Sequence, residues 1–152
     1  MGQLFEQYHS PLFRYLLSLG LAAQDAEETA QEVFLALFQH LRGGKPRDNL
    51  RGWIFRVGHN QALKLRKQRP MQAHVDPVDR APNPEEMALS NQRQRRLSAV
   101  MRALPEQDRA CLALRAEGLR YREIAEVLGI SLGGVSVSLE RSIARLARAH
   151  QA

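Results

Sequence analysis

The chain has 152 residues, 44% of them hydrophobic and 25% charged, a balance that excludes a disordered polymer and leaves room for one ordinary domain or two small ones. Lys plus Arg number 22 against 16 Asp plus Glu, a net charge of +6, and the sequence pI of about 10.2 directs attention to a polyanionic partner, nucleic acid first. The single cysteine, Cys111, excludes an internal disulfide framework and a multi-cysteine zinc site, and in the run Ala110 to Leu114 it reads as a small buried hydrophobe. No run reaches the about 18 apolar residues of a membrane span, and the start lacks the basic-then-apolar pattern of an export signal. A soluble cytoplasmic protein without membrane contact is expected.

From the N-terminus, Leu4, Phe5, Tyr8, Leu12, Phe13 and Leu16 recur at helical spacing, followed by Ala30, Val33, Phe34, Leu37, Phe38 and Leu41. Two amphipathic helices are implied, the first kinked or restarted at Pro11 and ended by Gly20. The second is expected to open at Asp25, whose spacing to Glu28 is that of a capping box. After the breaker-rich stretch 42–49 a third helix is predicted from Leu50 to Gln68, with Leu50, Trp53, Ile54 and Val57 on one face. Arg51, Arg56, Lys64, Arg66, Lys67 and Arg69 crowd the rest, more positive charge than a helix C-terminus needs unless a polyanion neutralises it.

The stretch from Pro70 to Pro84 carries four prolines and no apolar period, so it reads as a flexible linker and a domain boundary. Helical spacing returns in Leu97, Val100, Met101 and Leu104, in the segment from Glu106 to Ala116, and in two short helices around Ile124 and Leu139. The strongest local signal is Tyr121 to Val135, which reads as a helix-turn-helix. Ala125 is small where two helices cross, Gly129 suits a left-handed turn, Ser131 is a natural N-cap, and Val135 returns the second helix to the core.

Three stretches together resemble the sigma-seventy family of bacterial transcription initiation factors. Asp25 to Phe34 is similar to its region 2.2, Leu50 to Asn60 to regions 2.3 and 2.4, and Leu104 to Arg109 with Glu117 to Tyr121 and the helix-turn-helix to region 4. Their order, spacing and Pro-rich linker match the short extracytoplasmic-function (ECF) group over nearly the whole chain. The resemblance implies an all-α fold of two small helical domains: residues 1–69 for polymerase docking and the minus-ten element, a linker over 70–84, and a helix-turn-helix domain over 85–152. It implies that Asp25, Glu28, Gln31, Glu32 and Phe34 dock on the coiled coil of the largest polymerase subunit. Phe34 is open between contact and core.

The resemblance further implies that Arg51, Trp53, Arg56, Asn60, Lys64, Arg66 and Lys67 read and melt the minus-ten element, a task suited to a positive groove with hydrogen-bonding side chains. Trp53 is open between core and stacking platform. In the helix-turn-helix, Arg120, Arg122, Ser131, Gly134, Ser136, Ser138, Arg141 and Arg145 are the positions implied for the upstream element. Relatives commonly carry lysine and arginine at the start of the second helix, where this chain has Gly134, Ser136, Val137 and Ser138, so bidentate readout of guanine is missing from its usual places. Core RNA polymerase, including its flap region, promoter DNA and an anti-sigma protein are the implied partners, with a monomer as the free form.

The five histidines are scattered, and neither a metal-binding His-Glu pattern nor a phosphate-cradling glycine loop is present, so catalysis, cofactor and metal are not expected. Two other readings use the same residues: a regulator that employs only the helix-turn-helix, and a sigma-like co-regulator with weakened upstream recognition. The acidic helix followed by a basic one argues against the first; the uncharged start of the recognition helix is the support for the second.

Overall fold

The computed structural model describes residues 2–44, 48–68 and 84–151, with the side chains of 84–90 outside the description. Among the described residues there are seven α-helices and no strand. The first three are α1 (Gly2–Ser18), α2 (Ala23–Arg42) and α3 (Leu50–Gln68); the last four are α4 (Pro84–Ala103), α5 (Glu106–Ala116), α6 (Tyr121–Leu128) and α7 (Leu132–Gln151). The expected linker lies outside the described residues except for Pro84, which opens α4.

Local chemistry sets most of these boundaries. Pro11 lies inside α1, which runs on without restarting; the carbonyl of exposed Gln7, which loses the N–H that Pro11 lacks, can accept from water instead. Gly20, at φ +97°, turns the chain after α1. The capping box expected at Asp25 is absent, because α2 starts earlier: Ala22 is the cap, extended and without a side-chain bond, and Asp25 falls in the first turn facing the helix dipole. At α3 the cap is Asn49, which adopts φ +54° and accepts a hydrogen bond from the Gly52 amide at 3.3 Å. The last helix is one continuous element of 20 residues, not the short one expected around Leu139.

Helices α1, α2 and α3 pack on one another around Leu12, Leu16, Val33, Leu37, Ile54 and Phe55, all inaccessible to solvent. Gly58 permits the closest approach, since a Cβ there would lie 2.8 Å from Leu12 Cδ1. In the C-terminal half, Cys111, Leu114, Leu119, Ile124 and Val135 are equally buried. The two halves touch: α3 packs on α6 and α1 on α5, and the buried residues of both form one continuous core. Burial of the apolar faces of α3 and α6 against each other removes surface that two separated domains would expose.

The polar side of this seam has a uniform sign. Arg14 donates to Glu117 through Nε and Nη2 at 2.9 and 2.8 Å, Arg51 donates to Glu123 with Nη2 at 2.8 Å, and Arg66 pairs with Glu106. In each pair the arginine belongs to the N-terminal half and the glutamate to the C-terminal half. Beneath them the Tyr15 hydroxyl and His59 Nδ1 form a buried hydrogen bond of 2.8 Å. Burial holds the His59 imidazole below its ordinary pKa, with Arg66 adding to that effect and Glu106 opposing it.

A neutral His59 in the folded chain has a consequence for pH. Unfolding frees it to take up a proton near its ordinary value of about 6.5, so its contribution is intact above that pH and is lost as pH falls below it. The denaturant midpoint is expected to drop as pH falls below about 6.5, and the drop should be smaller in His59→Gln. Equal pH profiles for the two proteins would show that the imidazole plays no part.

Candidate nucleic-acid interface

Helix α3 divides its charges between two directions. Arg56, Asn60, Lys64 and Lys67 recur at helical spacing and are all exposed, forming one outward stripe with three cations. Arg51 and Arg66 turn the other way, into the seam, where Glu123 and Glu106 meet them. Of the seven residues implied for the minus-ten element, the structure therefore brings four together on one accessible surface. Trp53 is half-buried, packed against the core with its ring 4.9 Å from that of His40.

On α2, Glu28, Gln31 and Glu32 are exposed, while Phe34 is only 6% exposed, its ring tilted against that of Phe5 at 5.1 Å. Phe34 is thus a core residue and is corrected as a docking contact: its face of α2 is the one turned to α1. The residues that supply apolar area on the outer face are Leu35 and Phe38, 61% and 39% exposed, with Arg42 over the Phe38 ring. Sequence reasoning assigned Phe38 to the interior and passed over Leu35, since an amphipathic pattern says which stripe is apolar but not how wide the neighbour covers it. Glu28 and Glu32 also share a cleft with Gln61 and Lys64, so the acidic face of α2 and the basic stripe of α3 are adjacent.

The helix-turn-helix is built as its sequence implies. Gly129 takes the left-handed conformation at φ +67° and closes α6. Ser131 Oγ accepts from the Gly134 amide at 3.0 Å and caps α7. The α6 and α7 axes meet at 105°, within the range of DNA-binding helix-turn-helix units. Arg120 and Arg122 are exposed at the start of α6.

Glu123 ties this unit to the rest of the molecule. Its Oε1 accepts from the Arg120 amide at 2.7 Å and from Arg51 at 2.8 Å. Burial alone would raise its carboxyl, but Arg51 and the Arg120 amide together hold it below the usual carboxylate range.

Two of the implied recognition residues are placed elsewhere. Ser138 is buried at 1% exposure, its hydroxyl near Gln107 Nε2 at 3.3 Å, so it faces the core instead of a groove. Arg141 donates through Nε and Nη2 to Asp108 at 2.9 and 2.8 Å. This pair, above all, holds the fully buried Asp108 carboxyl below its ordinary pKa. Arg145 lies beside Val100, Leu104 and Arg148 in a groove against α4. Ser136 and Gly134 are half-buried and Ser131 is exposed.

Comparison with known proteins agrees with this architecture. The family model for Sigma-70 region 2 matches residues 4–70, and that for Sigma-70, region 4 matches 94–146. The chain is 30% identical over 151 residues to the ECF RNA polymerase sigma factor RpoE of Cereibacter sphaeroides, covering 95% of this chain and 83% of that one. The chain belongs to the ECF group of the sigma-70 family. This sigma factor is also 31% identical over 147 residues to the ECF sigma factor SigE of Mycolicibacterium smegmatis, where it covers 91% of its own length and spans 57% of the relative. Its fold is that of solved relatives. It matches CnrH in complex with the cytosolic domain of CnrY at a TM-score of 0.67, with 24% identity, covering 97% of this chain and 84% of that one. The sigma factor RpoE from Bartonella quintana, crystallised with the anti-sigma factor NepR, matches at 0.73 with 17% identity, covering 99% and 96%.

The Asp108–Arg141 pair makes a directional prediction for this sigma factor. Removing the arginine strands a buried carboxylate, whereas removing the carboxylate lets a half-exposed arginine turn to water. Arg141→Ala is therefore expected to lower the thermal midpoint more than Asp108→Asn. The reverse order in a melting experiment would show that the pair does not carry that role.

Proposed function

We propose that this chain binds core RNA polymerase, directs it to promoters and assists strand opening without catalysing a reaction itself. One observation carries the reading: a stripe of Arg56, Asn60, Lys64 and Lys67 stands exposed beside an acidic and apolar face of Glu28, Gln31, Glu32, Leu35 and Phe38. Cations with an amide suit a separated DNA strand, and carboxylates around exposed apolar side chains suit a basic helical partner.

In this reading residues 1–69 form the polymerase-docking and minus-ten unit, 70–84 the linker and 85–152 the upstream unit. The coiled coil of the largest polymerase subunit receives α2, and the flap region receives the C-terminal unit. Arg51 and Arg66 join the basic stripe only when the seam opens, because Glu123 and Glu106 engage them in the closed molecule. An anti-sigma protein is the proposed inhibitor of the free monomer, a role supported by the likeness to a sigma factor crystallised with NepR. Action on polymerase places the protein in the bacterial cytoplasm. A co-regulator that binds polymerase without strong upstream recognition is the second reading, favoured by the uncharged first turns of α7.

Run-off transcription from genomic fragments with core polymerase is expected to give discrete start sites that depend on this protein. Lys64→Ala and Lys67→Ala should each weaken promoter binding across sequences and reduce the log–log salt slope by roughly one. Polymerase binding without new starts would favour the co-regulator; failure to bind polymerase would remove the proposal.

A further inference from the structure

The recognition helix lacks the groups that usually read guanine, and the structure shows what it presents in their place. The face of α7 opposite buried Val135, Ser138, Leu139 and Ser142 carries Gly133, Val137, Glu140 and Ala144, at i, i+4, i+7 and i+11. All four are exposed, and Val137 keeps 55% of its surface in solvent. A Cβ at Gly133 would meet nothing within 4 Å, so the first turn offers bare backbone for close approach to a ligand.

Most of the neighbouring polar groups are committed or remote, and Ser136 is half-buried. Ser131 caps the helix, Ser138 is in the core, Arg141 is held on Asp108, and Arg145 and Arg148 line the groove toward α4. A carboxylate at Glu140 opposes the O6 and N7 acceptors of guanine and suits an amino donor instead. The outward surface of the helix is thus apolar at Val137, with an acceptor one turn later.

We infer that Val137 is a specificity-determining residue that packs on the 5-methyl group of thymine in the major groove, with Glu140 excluding guanine beside it. The major groove displays one apolar group, the thymine methyl, and an exposed branched aliphatic side chain is its complement. Arg120 and Arg122, exposed at the start of α6, supply the phosphate contacts that position the helix without reading sequence. The inference rests on the promoter-directing function proposed above and specifies the chemistry of its upstream readout.

The test uses the full chain assembled with core RNA polymerase and a randomised duplex pool, amplified in parallel with thymidine or with deoxyuridine. Uracil keeps every hydrogen-bonding group of thymine and lacks only the methyl. The thymidine pool is expected to yield a motif containing thymines, each worth about fourfold in binding, and the deoxyuridine pool should lose the preference at those positions. Val137→Ala should erase the difference between pools, and Val137→Thr, which keeps one methyl, should retain part of it. An identical motif from both pools, a motif without thymine, or no motif from an assembled complex would each overturn the inference while leaving polymerase binding in place. Failure of the complex to assemble would overturn the initiation-factor reading along with it.

Discussion

Glu123 is the residue on which the two halves of the molecule converge. One oxygen of its carboxylate receives both the amide that starts α6 and the guanidinium of Arg51 from α3. A single charge therefore caps the first helix of the helix-turn-helix and ties that helix to α3. It is nearly buried, at 8% exposure, and a carboxylate so placed is tolerated only while its partners remain. The local start of α6 and the closure of the whole molecule thus depend on the same group.

The electrostatics of the seam follow from that arrangement. An overall excess of positive charge would drive two basic halves apart, yet each cross-half pair sets an N-terminal arginine against a C-terminal glutamate. The glutamates occupy arginines that a nucleic-acid backbone could otherwise take. In the closed molecule the donors of Arg51 and Arg66 are engaged by Glu123 and Glu106. Arg56, Lys64 and Lys67 stay accessible in the closed molecule and provide a first point of attraction for a polyanion.

The helix-turn-helix shows a different use of arginine. Arg141 lies on the recognition helix, where its position alone marks it as a DNA contact, but the fully buried Asp108 claims two of its donors. This fixes α7 on α5 and leaves the outward face to small, apolar and acidic side chains. The uncharged start of the recognition helix is a surface of defined chemistry, with backbone accessible at Gly133 and a methyl-bearing side chain at Val137.

Helix content and the turn at Gly129 were legible from the order of residues, because each rests on short-range chemistry. The bounds of α3, the burial of Cys111 and the cap at Ser131 followed from periodicity and from side chains within a few positions of the groups they satisfy. The capping box at Asp25 failed for the same local reason in reverse: an extended Ala22 started the helix one turn sooner than the side-chain pattern implied. Which side of a charged helix faces solvent was not legible. Arg51 and Arg56 are the same residue type on the same helix, and only the placement of α6 separates a seam partner from a free cation. Phe34 and Leu35, adjacent in sequence, end up buried and exposed because α1 covers one and not the other. The sequence by itself determined the helical class, the turn at Gly129 with its cap at Ser131, and the family the chain resembles, since those depend on neighbours along the chain. Tertiary structure alone decided the closed seam and the free face of each functional helix, since burial and ion pairing depend on residues brought together from distant positions.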